Sequence, residues 1–191
     1  MAIPTALASQ AAAAPPGPIQ GCMNGGWQTI SEPSGHKFPN QGLCIAYAIH
    51  HPVSLADLAG SFAGTWSPVN GCGFVGLTFG ATYPASSAVG TVTLQIGGCP
   101  DLSNFVPPAS FNGTFVFTTN VGLLSGTATG QIDYQLVMLP PPFPRFEIVL
   151  TGATMTLTAT SGTGLFTGIS GSLNVGASIG GDVFDGGVTA P

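Results

Sequence analysis

Positive charge is almost absent from this chain. Lys37 and Arg145 are its only basic residues among 191, set against seven acids for a formal net charge of -5. Nucleic-acid binding displaces counterions with clustered Lys and Arg, and two such residues cannot form a cluster. The same scarcity excludes electrostatic attachment to an anionic membrane surface. Charge of either sign makes up 5% of residues, so solubility must rest on Thr, Ser, Asn and Gln. Long apolar runs are missing too. Gly, Pro and Thr interrupt every stretch well short of the ~20 residues a membrane helix needs, so no transmembrane segment is expected.

Cysteine is limited to Cys22, Cys44, Cys72 and Cys99. An even number in a charge-poor, loop-rich chain favours disulfides and an oxidising compartment. Three pairings exist on paper. Cys22–Cys44 with Cys72–Cys99 is preferred, because each bond then closes a loop of a few tens of residues within one segment. Zinc is disfavoured, since there is no C-x-x-C and His36, His50 and His51 lack ligand spacing. Neither a metal nor a cofactor is expected. The opening "MAIPTALASQAAAAPPGP" is small, apolar and uncharged, with A-x-A cleavage options at Ala6-Leu7-Ala8 and Ala11-Ala12-Ala13. It lacks the basic region and long apolar core of a complete secretory signal. It reads either as the end of such a signal or as a flexible Ala/Pro leader. Cystines and leader together place the protein outside the cell, secreted or at the cell surface.

Three regions are expected: a leader over 1–20, a cysteine-bearing module over 21–60, and a β domain over 61–191. In the module, "NQGLCIAYAIHH" predicts a short helix with Asn40 as N-cap and Pro52 as its stop. "SLADLAG" predicts one more turn, with Ser54 and Asp57 in capping-box positions. Beyond Phe62 the period changes to two. Val92, Leu94 and Ile96 alternate with Thr93 and Gln95, Ile132, Tyr134 and Leu136 with Asp133 and Gln135, and Met155, Leu157 and Ala159 with Thr156 and Thr158. This is the mark of strands with one buried and one wet face. Turns are expected at Asn70-Gly71, Asn112-Gly113, Asn120 to Gly122 and Ser161 to Gly164, and a loop at "LPPPFPR". Seven or eight such strands suggest an antiparallel barrel or a sandwich.

"SGTGLFTGISGSL" (161–173) has the glycine density of a phosphate loop but not its layout. Gly162, Gly164 and Gly168 are spaced G-x-G-x-x-x-G, no helical pattern follows, and no Lys comes after Lys37. A β-hairpin explains the stretch, with glycines in the turn and Leu165 and Phe166 entering the return strand. Through Gly162, Thr163, Gly164, Phe166, Gly168 and Gly171 it resembles the G-G-T-G-x-F-x-G-A-x-G signature of the allene oxide cyclase and dirigent barrel families, departing at Ser161 and Ser170. The resemblance spans about 60–185. It implies an eight-stranded antiparallel barrel with a central cavity in which a few polar groups act on a small apolar molecule. A second stretch, "CMNGGWQTISEPSGHKFPNQGLCIAYAI", is similar to a C-x-x-G-G-W…F-x-N-Q-G-x-C pattern of secreted bacterial proteins. It implies export and a disulfide, and brings no activity with it.

Arg145 and Glu147 lie two apart on one predicted strand and so share a face. With Asp133 they are the candidate catalytic groups, since a buried carboxylate has a raised pKa and donates protons. The plainer reading is an exposed ion pair, favoured because Phe146, Ile148 and Leu150 already supply an inward face. His50 and His51 suit a base or ligand less well than a helix C-terminus, where they complement the dipole. Thr154, Thr156, Thr158 and Thr160 would form a carbohydrate- or ice-binding array only if neighbouring strands carried Thr in register. Three expectations follow: a non-catalytic exported barrel that binds a small apolar ligand or serves as a surface module, a cyclase- or dirigent-like barrel working in its cavity, and a structural or surface-assembly protein.

Overall fold

The structure, a computed structural model, describes residues 17–72, 76–139 and 146–191. Eight antiparallel strands close into a barrel, each pairing with its chain neighbours and the last returning to the first. They are β1 (Gly60–Val69), β2 (Gly76–Pro84), β3 (Thr91–Pro100), β4 (Ala109–Thr119), β5 (Gly122–Met138), β6 (Phe146–Gly162), β7 (Gly171–Gly180) and β8 (Val183–Thr189). The two-residue period explains the closure. Each strand has one apolar face to hide, and a closed sheet hides all of them while leaving no free edge along its wall.

Phe62, Phe79, Phe111, Phe115, Phe117, Tyr83 and Phe184 are all buried. Their rings meet inside: Phe79 lies 5.5 Å from Phe184 and 6.3 Å from Phe111, each across an intervening strand, and Phe62 lies 5.3 Å from Phe184 on the adjacent strand. So many rings fit in a narrow barrel because glycines stand opposite them. Phe62 pairs with Gly186, Phe184 with Gly64, Phe111 with Gly130 and Phe115 with Gly126. A Cβ on Gly64 would come within 2.8 Å of the Phe184 ring, and one on Gly126 within 2.9 Å of Phe115. Large and small residues alternate across the rungs, as small barrels require. These four glycines therefore serve as interior space rather than turns.

The end of the barrel where β4 runs into β5 is covered by the N-terminal module. Helix α1 (Gly17–Cys22) starts inside the stretch read from sequence as leader and packs on a 3₁₀ turn at Gly164–Phe166. Helix α2 (Gln41–His50) is capped by Asn40, whose Oδ1 accepts the Leu43 N–H at 3.0 Å. The Cys22–Cys44 bond joins the two helices, and Cys72–Cys99 joins the β1–β2 connection to β3. A 3₁₀ turn at Leu55–Leu58 carries the capping box of Ser54 and Asp57. The Asp57 carboxylate also accepts the Ser86 hydroxyl at 2.7 Å, tying the module to the β2–β3 turn. Burial acts to raise the Asp57 pKa, but bonds from the Ser86 hydroxyl and from the Ser54 amide and hydroxyl outweigh it and hold it below the usual carboxylate value.

Two expected turns are corrected. Asn112-Gly113 lies in mid-β4, where Gly113 is required because a Cβ would strike the Gly97 carbonyl. Leu165 and Phe166 do not enter a return strand. They form the 3₁₀ turn and are fully buried, with the Leu165 N–H donating to the Val121 carbonyl at 2.9 Å. Gly164 makes this turn with φ 59°, and a side chain there would collide with Val121 and Ile30. The leader up to residue 16 and most of "LPPPFPR" lie outside the described residues.

Candidate functional site

The barrel interior is the place the family resemblance would put chemistry. Its inward positions carry Phe, Leu, Ile, Val, Ala, Met and two Tyr. Asp133 and Glu147 are both exposed, on the outer face of β5 and β6. Asp133 sits opposite Gly152 and Glu147 opposite Val137, so the two are four rungs apart, roughly 13 Å along the strand. The structure therefore does not bring them together. Arg145 lies outside the described residues.

Among the described residues two tyrosine hydroxyls are the interior's polar side-chain atoms, and they differ. Tyr83 donates to the Leu58 carbonyl at 2.7 Å, joining the barrel to the module above it, and burial pushes its pKa up. The Tyr134 hydroxyl is buried and, among the described residues, has no hydrogen-bond partner. The strand alternation flagged Tyr134 as inward but gave no sign that it would be unpaired, because that depends on what the opposite wall supplies. Removing a partner from a buried carbonyl costs about 1–3 kcal/mol, while deleting an unpaired hydroxyl costs nothing comparable. Tyr83→Phe is expected to lower unfolding stability by about 1–2 kcal/mol, and Tyr134→Phe to leave it equal or slightly higher. Urea unfolding of the two variants checks this. A large loss from Tyr134→Phe would mean that its hydroxyl is held by something bound inside.

The outer wall of β4 to β7 is a field of hydroxyls and amides in register. One rung runs Thr114, Thr127, Thr158, Ser172 and the next Asn112, Thr129, Thr156, Asn174. Thr156 Oγ1 donates to Asn174 Oδ1 at 3.3 Å, and the Thr158 and Ser172 hydroxyls lie 3.4 Å apart. Gly176 carries no side chain, which leaves a shallow groove of about 600 Å³ bordered by Thr129, Gln131, Thr154, Thr156 and Asn174. A lipid-facing barrel would carry an apolar band at these positions. This wall is the reverse. Among the described residues no helix is long and apolar enough to cross a membrane.

A second groove, of about 310 Å³, lies on the N-terminal module between Phe38, Tyr47, Glu32, His50 and His51. His50 ends α2, and the His51 N–H donates to the Tyr47 carbonyl at 2.8 Å while its ring stacks on Tyr47 at 4.5 Å. Burial and then the Glu32 carboxylate push the Tyr47 pKa up. The histidines thus finish the helix, one of them in a ring stack.

Compared with protein-family models, curated proteins and solved structures, the chain finds no match. The barrel stands on its own geometry.

The remaining surface feature is one-sided. Eleven large apolar residues are exposed among the described residues, and eight of them, Val69, Phe105, Val106, Leu136, Val137, Met138, Val149 and Val183, lie at the barrel end opposite the module. They belong to strand ends and loops separated by up to about 110 positions in sequence. No local pattern announces such a cluster.

Proposed function

We propose that this chain is a non-catalytic, exported barrel module that works through its outer surface. The observation that carries this reading is the division of side chains. Aromatic and aliphatic groups occupy the inside, while Asp133 and Glu147 stand exposed on the outer face, away from it. Export is supported by two disulfides with no free cysteine among the described residues, since the cytosol keeps thiols reduced. The in-register hydroxyl wall gives a protein of such low charge its hydration and offers neutral, hydroxyl-rich surroundings a matching contact face.

One observation favours a second reading, a barrel that acts on or holds a small apolar molecule as allene oxide cyclases and dirigent proteins do. It is the Tyr134 hydroxyl, which among the described residues is the one buried side-chain polar group without a hydrogen-bond partner. Native mass spectrometry of the protein purified from its own host separates the two. The expected mass is that of the disulfide-bonded chain alone. A small molecule that co-purifies with the native protein, and is lost from Tyr134→Phe, would overturn the outer-surface reading in favour of the second.

A further inference from the structure

The longest strands of the barrel outrun their neighbours. On β5, pairing with β4 ends at Ile132, opposite Ala109, and on β6, pairing with β7 ends at Gly152, opposite Ser178. Beyond these rungs β5 and β6 pair only with each other, from Tyr134–Leu150 to Met138–Phe146. The result is a two-stranded arm past the barrel rim, and among the described residues neither outer edge has a neighbouring strand. Isolated two-stranded arms are marginal in water, and exposed edges are templates for pairing.

The two edges are not equivalent. The β6 edge carries Glu147, and a charge on an edge strand blocks pairing. The β5 edge reads Tyr134-Gln135-Leu136-Val137-Met138, with no charge, Pro or Gly. Leu136 is 42% exposed and Met138 65%. Such a segment is the kind that natural edges avoid unless it is meant to be covered.

We infer that a second copy of this chain covers it, by antiparallel pairing of β5 with β5 about a two-fold axis at Leu136. An isologous contact needs a self-complementary surface, and antiparallel pairing of one strand with its own copy meets that condition. In this register Asp133 faces Leu139 of the other copy. The two Asp133 carboxylates then stand roughly 20 Å apart at ~3.3 Å per residue, beyond the screening length at physiological salt. In this register the exposed Leu136, Val137 and Met138 of each copy lie beside Leu136, Gln135 and Tyr134 of the other. A basic or anionic-lipid partner is less well matched, because it would leave the β5 backbone unpaired or meet the acids of the rim. The dimer requires only the β5 edge and is independent of whether the interior holds a ligand.

Sedimentation equilibrium of the full disulfide-bonded chain tests this. The expected species has twice the 19.1 kDa chain mass. Val137→Lys, which places a charge on the edge, is expected to weaken association by roughly 100-fold or more. Met138→Thr, at a position too exposed to serve the core, is expected to weaken it several-fold. Thr156→Lys on the side wall should leave it unchanged, and far-UV circular dichroism should show all three folded. A chain that stays monomeric at about 200 μM, a stoichiometry other than two, open-ended polymers, or a dimer equally tight in Val137→Lys would each overturn the inference. So would a monomer that binds neutral phosphatidylcholine vesicles through the same residues.

Discussion

Phe115→Ala is expected to cost about 3–5 kcal/mol of unfolding free energy, the range for deleting a buried aromatic ring. Phe115 is 1% exposed, its ring lies 5.4 Å from Phe117, and it fills the space that its cross-strand partner Gly126 leaves vacant. Substituting the partner attacks the same rung from the other side. Gly126→Val would drive a Cβ into the Thr158 carbonyl of β6 as well as into the Phe115 ring. The backbone clash forces β5 away from β6 at the register shift between Ser125 and Gly126, so a loss of about 3 kcal/mol or more is expected, at the top of the overpacking range. The double variant discriminates. It removes the ring but not the carbonyl, so it should be no more stable than either single change. Chemical denaturation with circular dichroism reads all three. Recovery of stability in the double variant would show that Gly126 merely makes room for a ring and that the strand contact tolerates a side chain.

Loss of the Cys22–Cys44 bond is the second large effect. Both cysteines are fully buried, and the bond closes a 22-residue separation between α1 and α2. The chain-entropy model assigns a loop of that size about 3 kcal/mol, or a melting temperature lower by roughly 6–12 °C in a domain of this length. The cost should fall unevenly. The module has its own contacts, through α1 on the Gly164–Phe166 turn, Tyr83 on Leu58 and Asp57 on Ser86, but little core of its own. Cys22→Ala with Cys44→Ala is therefore expected to make residues 17–59 susceptible to protease well below the temperature at which the barrel's β signal melts. Simultaneous loss of both signals would instead show module and barrel to be one cooperative unit. An unchanged melting temperature would remove the bond from the list of stabilising features.

Much of the architecture could be read in advance because it depends on neighbours in sequence. Alternation such as Val92, Leu94, Ile96 against Thr93, Gln95 set the strands and their buried faces. Asn40 set the start of α2, and Ser54 with Asp57 the capped turn. The short loops within each segment pointed to the disulfide partners. These are effects of one to four residues, or of loop closure within one segment, and they reach the structure unchanged. The glycines misled where their reason lay on another strand. Asn112-Gly113 has the letters of a turn, yet Gly113 is there because the Gly97 carbonyl approaches it.

What only the closed sheet decided is everything that depends on register and length mismatch between distant strands. It set Phe against Gly on four rungs and aligned the hydroxyls of β4 to β7. It left the Tyr134 hydroxyl without a hydrogen-bond partner among the described residues and carried β5 and β6 past their neighbours. Local pattern left a barrel or a sandwich, the two ways strands with one oily face can hide that face. Which side chains meet, and which edge stays open, follows from how eight unequal strands close on themselves, a constraint that no window of the sequence contains.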